Sequence, residues 1–291
     1  MPSVVNPDPQ WLDVQYNNRA RVPDFAAHLA NWIDQSARAR QAPDCVLDIA
    51  YGNSAGEKLD VFPAAPQKKK GKGSPVLVFI HGGWWRSLDK SDHSFVAPSF
   101  TANGTCVVVP NYDLCPAVTI PEITLQMVRA LAWTFRNIAK HGGDPSRITV
   151  AGHSAGGHLS AMMLACNWPA YSRDLPSNLV KNALSISGLH DLAPLPHTPA
   201  MKDSLRLTPE DVSRASPALL PAPKTGTLYA VVGADESEEF LRQNRVMQQA
   251  WGKKVVPVCE DLPGLNHFSV LQTLAEPGQR AHQLALKLLG K

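Results

Sequence analysis

Short apolar runs alternate along this chain with longer segments whose apolar residues recur every three or four positions. The short runs are typical of buried strands, and the longer spacing is typical of amphipathic helices. Strands are predicted at 75–80, 105–109, 148–151, 183–187, 227–232 and 255–259. Helices are predicted at 94–102, 119–140, 155–166, 238–251 and 268–289. This alternation predicts an α/β fold, with a mostly parallel, doubly wound sheet and helices on both faces.

Two alternating runs, at 46–51 and 57–62, precede the parallel strands. The segment between them, at 52–56 (GNSAG), offers Gly and Asn for the positive φ that a tight turn needs. We therefore predict an antiparallel hairpin at one edge of the sheet. With this hairpin the sheet has about eight strands.

Two regions fall outside the alternation. Residues 1–44 begin as a Pro-rich arm and continue as an amphipathic helix, which either covers a pocket or packs against the back of the domain. The apolar positions of this helix are Phe25, Leu29, Trp32 and Ile33. The region 188–224, rich in Pro, Leu and Ala, is predicted to form loops and short helices. We expect a single α/β domain at 45–291, with a small cap built from the arm and the 188–224 region.

The composition indicates an ordinary globular protein. Apolar residues make up 44% of the 291 positions and charged residues 18%. The net charge of +3 is too small to indicate nucleic acid or a membrane surface as a partner. Part of the excess comes from a basic run at 68–72 (KKKGK), which we interpret as a solvated loop between strands.

The cysteines and the N-terminus bear on the compartment. The five cysteines are scattered without a C-x-x-C pair, so neither a disulfide framework nor a zinc site is predicted. The first residues lack the basic and apolar regions of a secretory signal, and no run approaches 18 apolar residues. We therefore expect a reducing, cytoplasmic location and no membrane association.

The candidate chemistry starts at Ser154. This serine stands in a G-x-S-x-G pattern at 152–156, directly after a predicted strand and before a predicted helix. Strand, tight turn and helix in this order form a nucleophile elbow, whose strained turn raises the serine hydroxyl out of the sheet. The same pattern surrounds Ser54, but no helix follows that copy. We therefore interpret Ser154, and not Ser54, as the candidate nucleophile.

Among the ten histidines, His267 is the candidate general base. It lies in a loop at 262–268 that contains Gly and Pro and follows the last predicted strand. A base must lie there to reach a serine at the carboxyl end of a central strand. A metal site formed by His81, His153 and His158 would lack a carboxylate or Cys at ligand spacing, so no metal ion is expected.

A third group must orient the base, and backbone donors must stabilise the oxyanion. Asp235 and Glu236 stand side by side after the preceding strand. Adjacent residues point in different directions, so only one of them can face His267, and local chemistry does not decide which. The oxyanion donors should be the N–H of Ala155 and those of the glycine turn at 81–84 (HGGW).

Four motifs in this chain occur in the order of a known family. They are HGGWW at 81–85, GHSAGGHL at 152–159, ESEEFLRQ at 236–243 and NHF at 266–268. Together they resemble the kynurenine formamidase (arylformamidase) branch of the α/β-hydrolases, which adjoins the hormone-sensitive-lipase-like esterases. The resemblance spans about residues 45–290, and YNNR at 16–19 resembles the N-terminal arm of bacterial members.

The resemblance implies an α/β-hydrolase fold and roles for particular residues. The implied roles are nucleophile for Ser154, base for His267, oxyanion donors for Gly83, Trp84 and Ala155, and turn-shaping for Gly82. In the family the acid stands directly before a Ser or Thr and an x-Glu-Phe. That register favours Glu236, with Asp235 as the alternative.

The expected reaction is hydrolysis of a small carboxylic ester or aryl amide through an acyl-enzyme, with no cofactor. Trp84, Trp85, Trp168 and the 188–224 region are expected to line an apolar pocket. The side chain of Trp84 is larger than that of the Tyr or Ala that is commoner at this position in the family.

Two alternatives stay open at this stage. One is arylformamidase activity on N-formylkynurenine. The other is a non-catalytic ligand-binding protein on the same fold, which would usually lack the base or the acid. In each case the expected partner is a small molecule, and a homodimer is the assembly that we allow for.

Overall fold

Eight strands form one sheet in the structure, a computed structural model that describes residues 8–65 and 73–291. The strands are β1 (Val46–Ala50), β2 (Lys58–Phe62), β3 (Ser74–Ile80), β4 (Cys106–Pro110), β5 (Gly143–His153), β6 (Val180–Ile186), β7 (Thr227–Gly233) and β8 (Val258–Leu262). Their order across the sheet is β1-β2-β4-β3-β5-β6-β7-β8. The pairs β1–β2 and β2–β4 are antiparallel and the other pairs are parallel. The predicted parallel sheet and its antiparallel hairpin are therefore confirmed.

Helices cover both faces of this sheet. The α-helices of the described residues are α1 (Pro9–Tyr16), α2 (Asn18–Arg21), α3 (Phe25–Ala39), α4 (Ala97–Ala102), α5 (Ile120–Asn137), α6 (Ala155–Ala165), α7 (Trp168–Tyr171), α8 (Pro199–Leu205), α9 (Pro209–Ala215), α10 (Glu238–Val255), α11 (Ser269–Ala275) and α12 (Arg280–Leu288). Alternate residues of β3 face opposite ways: Val78 belongs to the core cluster that includes residues of α5, α6 and α10, and Phe79 to the cluster that includes residues of α3, α4, α11 and α12. Both faces of the central strands are buried, which explains their unbroken apolar runs.

The carboxyl ends of four central strands meet at one edge of the sheet. Ile80 at the end of β3 pairs with Gly152 of β5, and Ile186 of β6 pairs with both His153 and Val231. The residues that follow these strands therefore lie side by side. In open α/β sheets this edge is where ligands bind.

The N-terminal arm is more helical than predicted. The segment interpreted as a Pro-rich arm forms α1, which begins with Pro9 in its first turn and packs against α8 and α10. The predicted amphipathic helix is α3, and its Trp32 is 2% exposed. Ile33 is 52% exposed, so including it in the buried face was wrong. Trp32, Ser36 and Ala39 are the buried positions of α3, and Phe25 and Leu29 are partly buried against the core cluster that contains Trp32.

Two predicted elements near the C-terminus are wrong in extent. The single closing helix at 268–289 is two helices, α11 and α12, because Pro277 and Gly278 (φ 87°) separate them. The last strand begins at Val258 and not at Val255, since α10 continues to Val255 and Pro257 has no N–H to donate to a strand ladder.

Two other expectations have a plain outcome. The basic run at 68–72 lies outside the described residues. Among residues 8–65 and 73–291, no helix combines the length and the apolar content that crossing a bilayer would require.

Candidate active site

Ser154 lies at the sharp turn between β5 and α6. Its backbone has φ 56° and ψ −118°, a conformation that residues other than glycine rarely adopt. The turn is held by a hydrogen bond from the Ser154 N–H to the carbonyl oxygen of Ile186 at 2.8 Å. This is the strained geometry predicted for a nucleophile elbow, and strain of this kind is found mainly at functional sites.

The glycines on either side of Ser154 allow two backbones to approach each other. A Cβ at Gly156 would lie 1.9 Å from the carbonyl oxygen of Ile80 in β3, and a Cβ at Gly152 would lie 2.2 Å from the carbonyl oxygen of Gly156. Both distances are far below van der Waals contact. The two glycines are therefore required by packing between β3, β5 and α6.

The second G-x-S-x-G pattern has a different structure. Ser54 lies in the turn between β1 and β2, where the carboxylate of Glu57 accepts hydrogen bonds from the N–H groups of Asn53 (3.0 Å) and Ser54 (3.1 Å). No elbow forms there. The hairpin predicted for this segment is confirmed.

His267 forms a buried pair with Glu236. The His267 Nδ1 and Glu236 Oε2 atoms are 2.6 Å apart, and the two residues are 6% and 7% exposed. The other carboxylate oxygen of Glu236 accepts hydrogen bonds from Ser187 Oγ (2.5 Å) and from the N–H of Gly233 (2.9 Å). Asp235 is exposed to solvent. Of the two adjacent carboxylates, the structure places Glu236 against the histidine.

A second histidine holds the backbone of the first. His153 Nε2 is 2.8 Å from the carbonyl oxygen of His267, and the two rings lie 4.7 Å apart between centroids. Burial, and next the neighbouring His267, hold the pKa of His153 well below its ordinary value. A neutral His153 that donates from Nε2 fixes the loop carrying His267.

Ser154 and His267 line the same cavity, whose volume is about 290 Å³. No hydrogen bond joins the Ser154 hydroxyl to the His267 ring among the described residues. Contacts of this kind commonly tighten only when a substrate is bound. The position of the two side chains in one cavity is what acyl transfer requires.

The turn after β3 lies directly against the elbow. A Cβ at Gly82 would lie 2.9 Å from the carbonyl oxygen of His153 and 3.1 Å from Ser154 Cβ. Gly83 has φ 108°, and its carbonyl oxygen accepts hydrogen bonds from Ser87 Oγ (2.9 Å) and from the N–H of Arg86 (3.1 Å). This turn needs glycine because a side chain at either position would collide with its neighbours.

Three backbone N–H groups near Ser154 are candidate oxyanion donors. Ala155 is the first residue of α6, and the first N–H groups of a helix have no acceptor within it. The N–H groups of Gly83 and Trp84 make no backbone hydrogen bond with another described residue. Gly83 and Trp84 both line the cavity that contains Ser154.

The arm and the 188–224 region cover this cavity. The arm contributes Tyr16, Leu29 and Trp32, and helix α8 contributes Ala200 and Met201. The cap predicted from these two regions thus has a structural counterpart. The cavity lies between this cap and the carboxyl edge of the sheet.

Tyr16 connects the arm to the glycine turn after β3. Its hydroxyl donates to Glu239 Oε1 at 2.6 Å and accepts from Gln243 Nε2 at 3.1 Å. Its ring meets the ring of Trp84 edge-on, with 5.6 Å between centroids. Burial, and next the charge of Glu239, raise the pKa of Tyr16, so the phenol stays neutral. The Tyr16 ring packs edge-on against the Trp84 ring and helps to fix it.

Of the three tryptophans predicted to line the pocket, Trp84 lines the cavity that contains Ser154. Trp85 is fully buried and packs edge-on against His158, with 5.0 Å between ring centroids. Trp168 is 1% exposed and belongs to the same core cluster. The expectation that Trp85 and Trp168 line the pocket is wrong, because both side chains are buried in the core and neither is among the residues that line the cavity.

The sequence reasoning missed Ser187 and the contact of His153 with His267. Ser187 follows β6, has φ 50° and donates to Glu236. A polar residue directly after a central strand is a signal that was available. The carbonyl contact of His153 depends on a loop more than a hundred residues away, and no local pattern indicates it.

The predicted absence of a metal site can be compared with the arrangement of the histidines. Among the described residues, no cluster of three or more His, Cys, Asp or Glu side chains is arranged to hold a metal ion. His81 is engaged by Asn111 Oδ1 at 2.9 Å, and His158 by the carbonyl oxygen of Ala215 at 2.6 Å. Each of these two rings therefore has a protein partner.

Sheet order, elbow and turn together define the class of this protein. A mostly parallel eight-stranded sheet with a serine on the turn after its fifth strand is the α/β-hydrolase fold, and the chain is a hydrolase enzyme of that class. The sequence model of the BD-FAE family matches residues 59–204. The chain belongs to this family.

Individual relatives are similar to the whole chain or to about half of it. Kynurenine formamidase from Salmo salar is 29% identical, over 97% of this chain and 95% of that protein. Esterase LipQ from Mycobacterium tuberculosis is 36% identical, over 50% of this chain and 35% of that protein. The motif resemblance to this group of α/β-hydrolases is therefore confirmed.

Solved structures agree on the fold. A crystal structure from Silicibacter sp. TM1040, provisionally assigned as a thioesterase, has a TM-score of 0.82 at 28% identity and covers 96% of this chain and 99% of that one. An esterase from Pyrobaculum calidifontis has a TM-score of 0.69 at 19% identity, over 91% of this chain and 92% of that one.

We expect Gly156→Ala to destabilise the protein by at least about 3 kcal/mol, because the new methyl group would collide with the β3 backbone at Ile80. The control is Gly142→Ala, whose φ of 79° is unfavourable for alanine but whose Cβ would meet nothing within 4 Å, so this variant carries backbone strain without a collision. It should cost about 1–2 kcal/mol. Urea unfolding of both variants measures the difference, and equal costs would contradict the packing explanation.

Proposed function

We propose that this protein is a serine hydrolase that cleaves small carboxylic esters or aryl amides through an acyl-enzyme. The observation that carries the proposal is the buried His267–Glu236 pair, at 2.6 Å, in the cavity that Ser154 also lines. A nucleophile, a base and a group that orients the base are what acyl transfer by serine requires.

In the proposed first step, Ser154 Oγ attacks the substrate carbonyl while His267 Nε2 takes the hydroxyl proton. Glu236 accepts the Nδ1 proton of His267 in a hydrogen bond, which fixes the tautomer and stabilises the imidazolium. Asp235 has no part in this arrangement, because it faces solvent.

The negatively charged substrate oxygen is proposed to accept hydrogen bonds from the N–H groups of Gly83, Trp84 and Ala155. Gly82 is proposed to shape the turn. Fixed backbone donors of this kind contribute about 2.7–4 kcal/mol each to the transition state. His267 then protonates the leaving group. Water attacks the acyl-enzyme by the same route, with His267 as base once more.

The second candidate function is an arylformamidase acting on N-formylkynurenine. It is supported by similarity to kynurenine formamidases from Salmo salar and Danio rerio over almost the whole length of both chains. Similarity to esterases such as LipQ covers a smaller share of this chain and supports the ester reaction. The proposed chemistry at Ser154 is identical in the two cases.

The proposal extends to organisation and location. We propose that residues 1–44 act as an arm over the catalytic domain at 45–291. We also propose that the protein acts in the cytoplasm on small molecules, with a homodimer as the assembly to test.

Replacement of Ser154 by Ala should lower kcat for p-nitrophenyl acetate by at least about 10³-fold, because the other serine and threonine hydroxyls of the lining, those of Ser87 and Thr198, donate to backbone carbonyl oxygens. Stability should change little, since alanine removes a single atom. Ser54→Ala, at the other G-x-S-x-G pattern, is the matched control and should retain wild-type kcat. Wild-type turnover by Ser154→Ala would show that the nucleophile has been assigned to the wrong residue.

The two adjacent carboxylates can be separated by amide substitution. Glu236→Gln should lower kcat by about 10²–10⁴-fold, because the amide no longer stabilises the imidazolium or fixes the required tautomer. Asp235→Asn should change kcat less than threefold, since that side chain is exposed. Steady-state kinetics on one ester decide the matter, and the reverse pattern would assign the acid to Asp235.

The ester and formamide functions differ in their preferred acyl group. We expect measurable kcat/KM on p-nitrophenyl esters, highest for the acetyl to butyryl chains because the cavity is only about 290 Å³. The comparison substrate is N-formylkynurenine, assayed at the same enzyme concentration. A kcat/KM on N-formylkynurenine at least about 100-fold above the best ester would assign the protein to the second candidate function.

A further inference from the structure

Two arginines line the cavity. Arg86 and Arg19 both line the space that contains Ser154 and His267. Arg86 lies two residues beyond Trp84, on the same loop as the candidate oxyanion donors, and is partly buried. Arg19 comes from helix α2 of the arm, is exposed, and rests over the ring of Phe25 at 5.5 Å.

Arg86 is held in place but its charge is not compensated. Its Nη1 donates to the carbonyl oxygen of Ala200 (2.9 Å) and to Ser204 Oγ (2.7 Å). Among the described residues, no carboxylate lies within ion-pair distance of Arg86 or Arg19. A guanidinium has five N–H donors, so Arg86 keeps donors for a further partner.

The two arginines also affect each other. Burial, and next the positive charge of Arg19, hold the pKa of Arg86 below its ordinary value. Two like charges in one cavity repel each other, and an anion between them would remove that repulsion.

A buried amide of the same cavity lacks a partner among the described residues. Asn18 lines the cavity and is 5% exposed, and its side-chain Nδ2 makes no hydrogen bond with residues 8–65 or 73–291. A buried donor without an acceptor costs about 1–3 kcal/mol, so such groups are nearly always satisfied. An acceptor carried by a ligand would satisfy it.

The charge balance of the lining indicates which anion fits. Asp13 is the acidic residue of the lining, and its Oδ1 accepts the N–H of Ala200 at 2.9 Å. Two arginines and one aspartate leave a single net positive charge. A monoanionic carboxylate matches this balance better than a dianionic phosphate does, and carboxylates bind guanidinium side by side through two oxygens.

We propose that Arg86, Arg19 and Asn18 form a subsite that binds a carboxylate of the substrate. The preferred substrates are then esters or aryl amides that carry an acidic group in addition to the bond that is cleaved. This inference rests on the proposed hydrolytic function of the same cavity. It assigns to the arm a direct part in substrate selection.

The kinetic test uses two matched pairs of substrates. The first pair is 3-(2-formamidobenzoyl)propanoate and its primary amide, which carry no ammonium group and differ in a carboxylate on the leaving-group side. The second pair is mono-p-nitrophenyl glutarate and p-nitrophenyl pentanoate, which differ on the acyl side. In at least one pair, kcat/KM for the acid should exceed that for the neutral partner by about tenfold or more.

Arg86→Gln should lower this ratio of acid to neutral kcat/KM at least tenfold, mainly through KM of the acid. The ratio corrects for any general disturbance of the loop that carries Trp84. Asn18→Ala should lower it about threefold. The matched control is Arg21→Gln, an exposed arginine of α2 outside the cavity lining, which should leave the ratio at its wild-type value.

A binding test separates failure of the subsite from failure of the hydrolytic function. Calorimetry would measure 3-benzoylpropanoate, which has no bond to cleave, and its neutral amide. The carboxylate should bind at least tenfold more tightly, and Arg86→Gln should remove that difference.

The outcomes then divide cleanly. Hydrolysis without any preference for the acid in either pair, together with equal binding of carboxylate and amide, overturns the subsite and leaves the hydrolase proposal standing. Selective binding of the carboxylate without hydrolysis of any substrate overturns the hydrolase and retains the subsite.

Discussion

The close approach of helix α6 to strand β3 is the contact on which the rest of the site depends. Gly156 lets the helix backbone lie so near Ile80 that even a methyl group would not fit between them. This contact holds the first turn of α6 beside the glycine turn after β3. It therefore stabilises the positive φ of Ser154, which an isolated peptide would avoid. The strain at the serine is balanced by the close packing of β3, β5 and α6 around it.

The remaining groups take their places from the same sheet edge. Glu236 is fixed by the N–H of Gly233 at the end of β7 and by Ser187 after β6, and His267 is fixed by Glu236 and by the ring of His153 at the end of β5. Each group follows a different strand. The spacing between parallel strands, which hydrogen bonds set at about 4.8 Å, thus sets the spacing of the site.

The sequence predicts most where a local constraint acts. The glycines around Ser154 and the apolar runs of β3 and β5 were readable because close packing and double-sided burial restrict residue type. The roles of Trp85 and Trp168 were not, since composition does not say which way a ring points, and both rings point into the core. The edge strand β8 was misplaced because the apolar residues Val255 and Val256 before Pro257 resemble a strand, whereas β8 itself has four half-buried residues that include Glu260 and Asp261.

The position of the arm has a consequence for the order in which the protein folds. The hydrogen bond between Tyr16 and Glu239 joins residues 223 positions apart in the chain. Closing so long a loop is entropically expensive, and contacts of this kind form late in folding. The roof of the cavity is thus made by residues that are translated before the strands they pack against, and it can settle only after nearly all of the sheet has been synthesised.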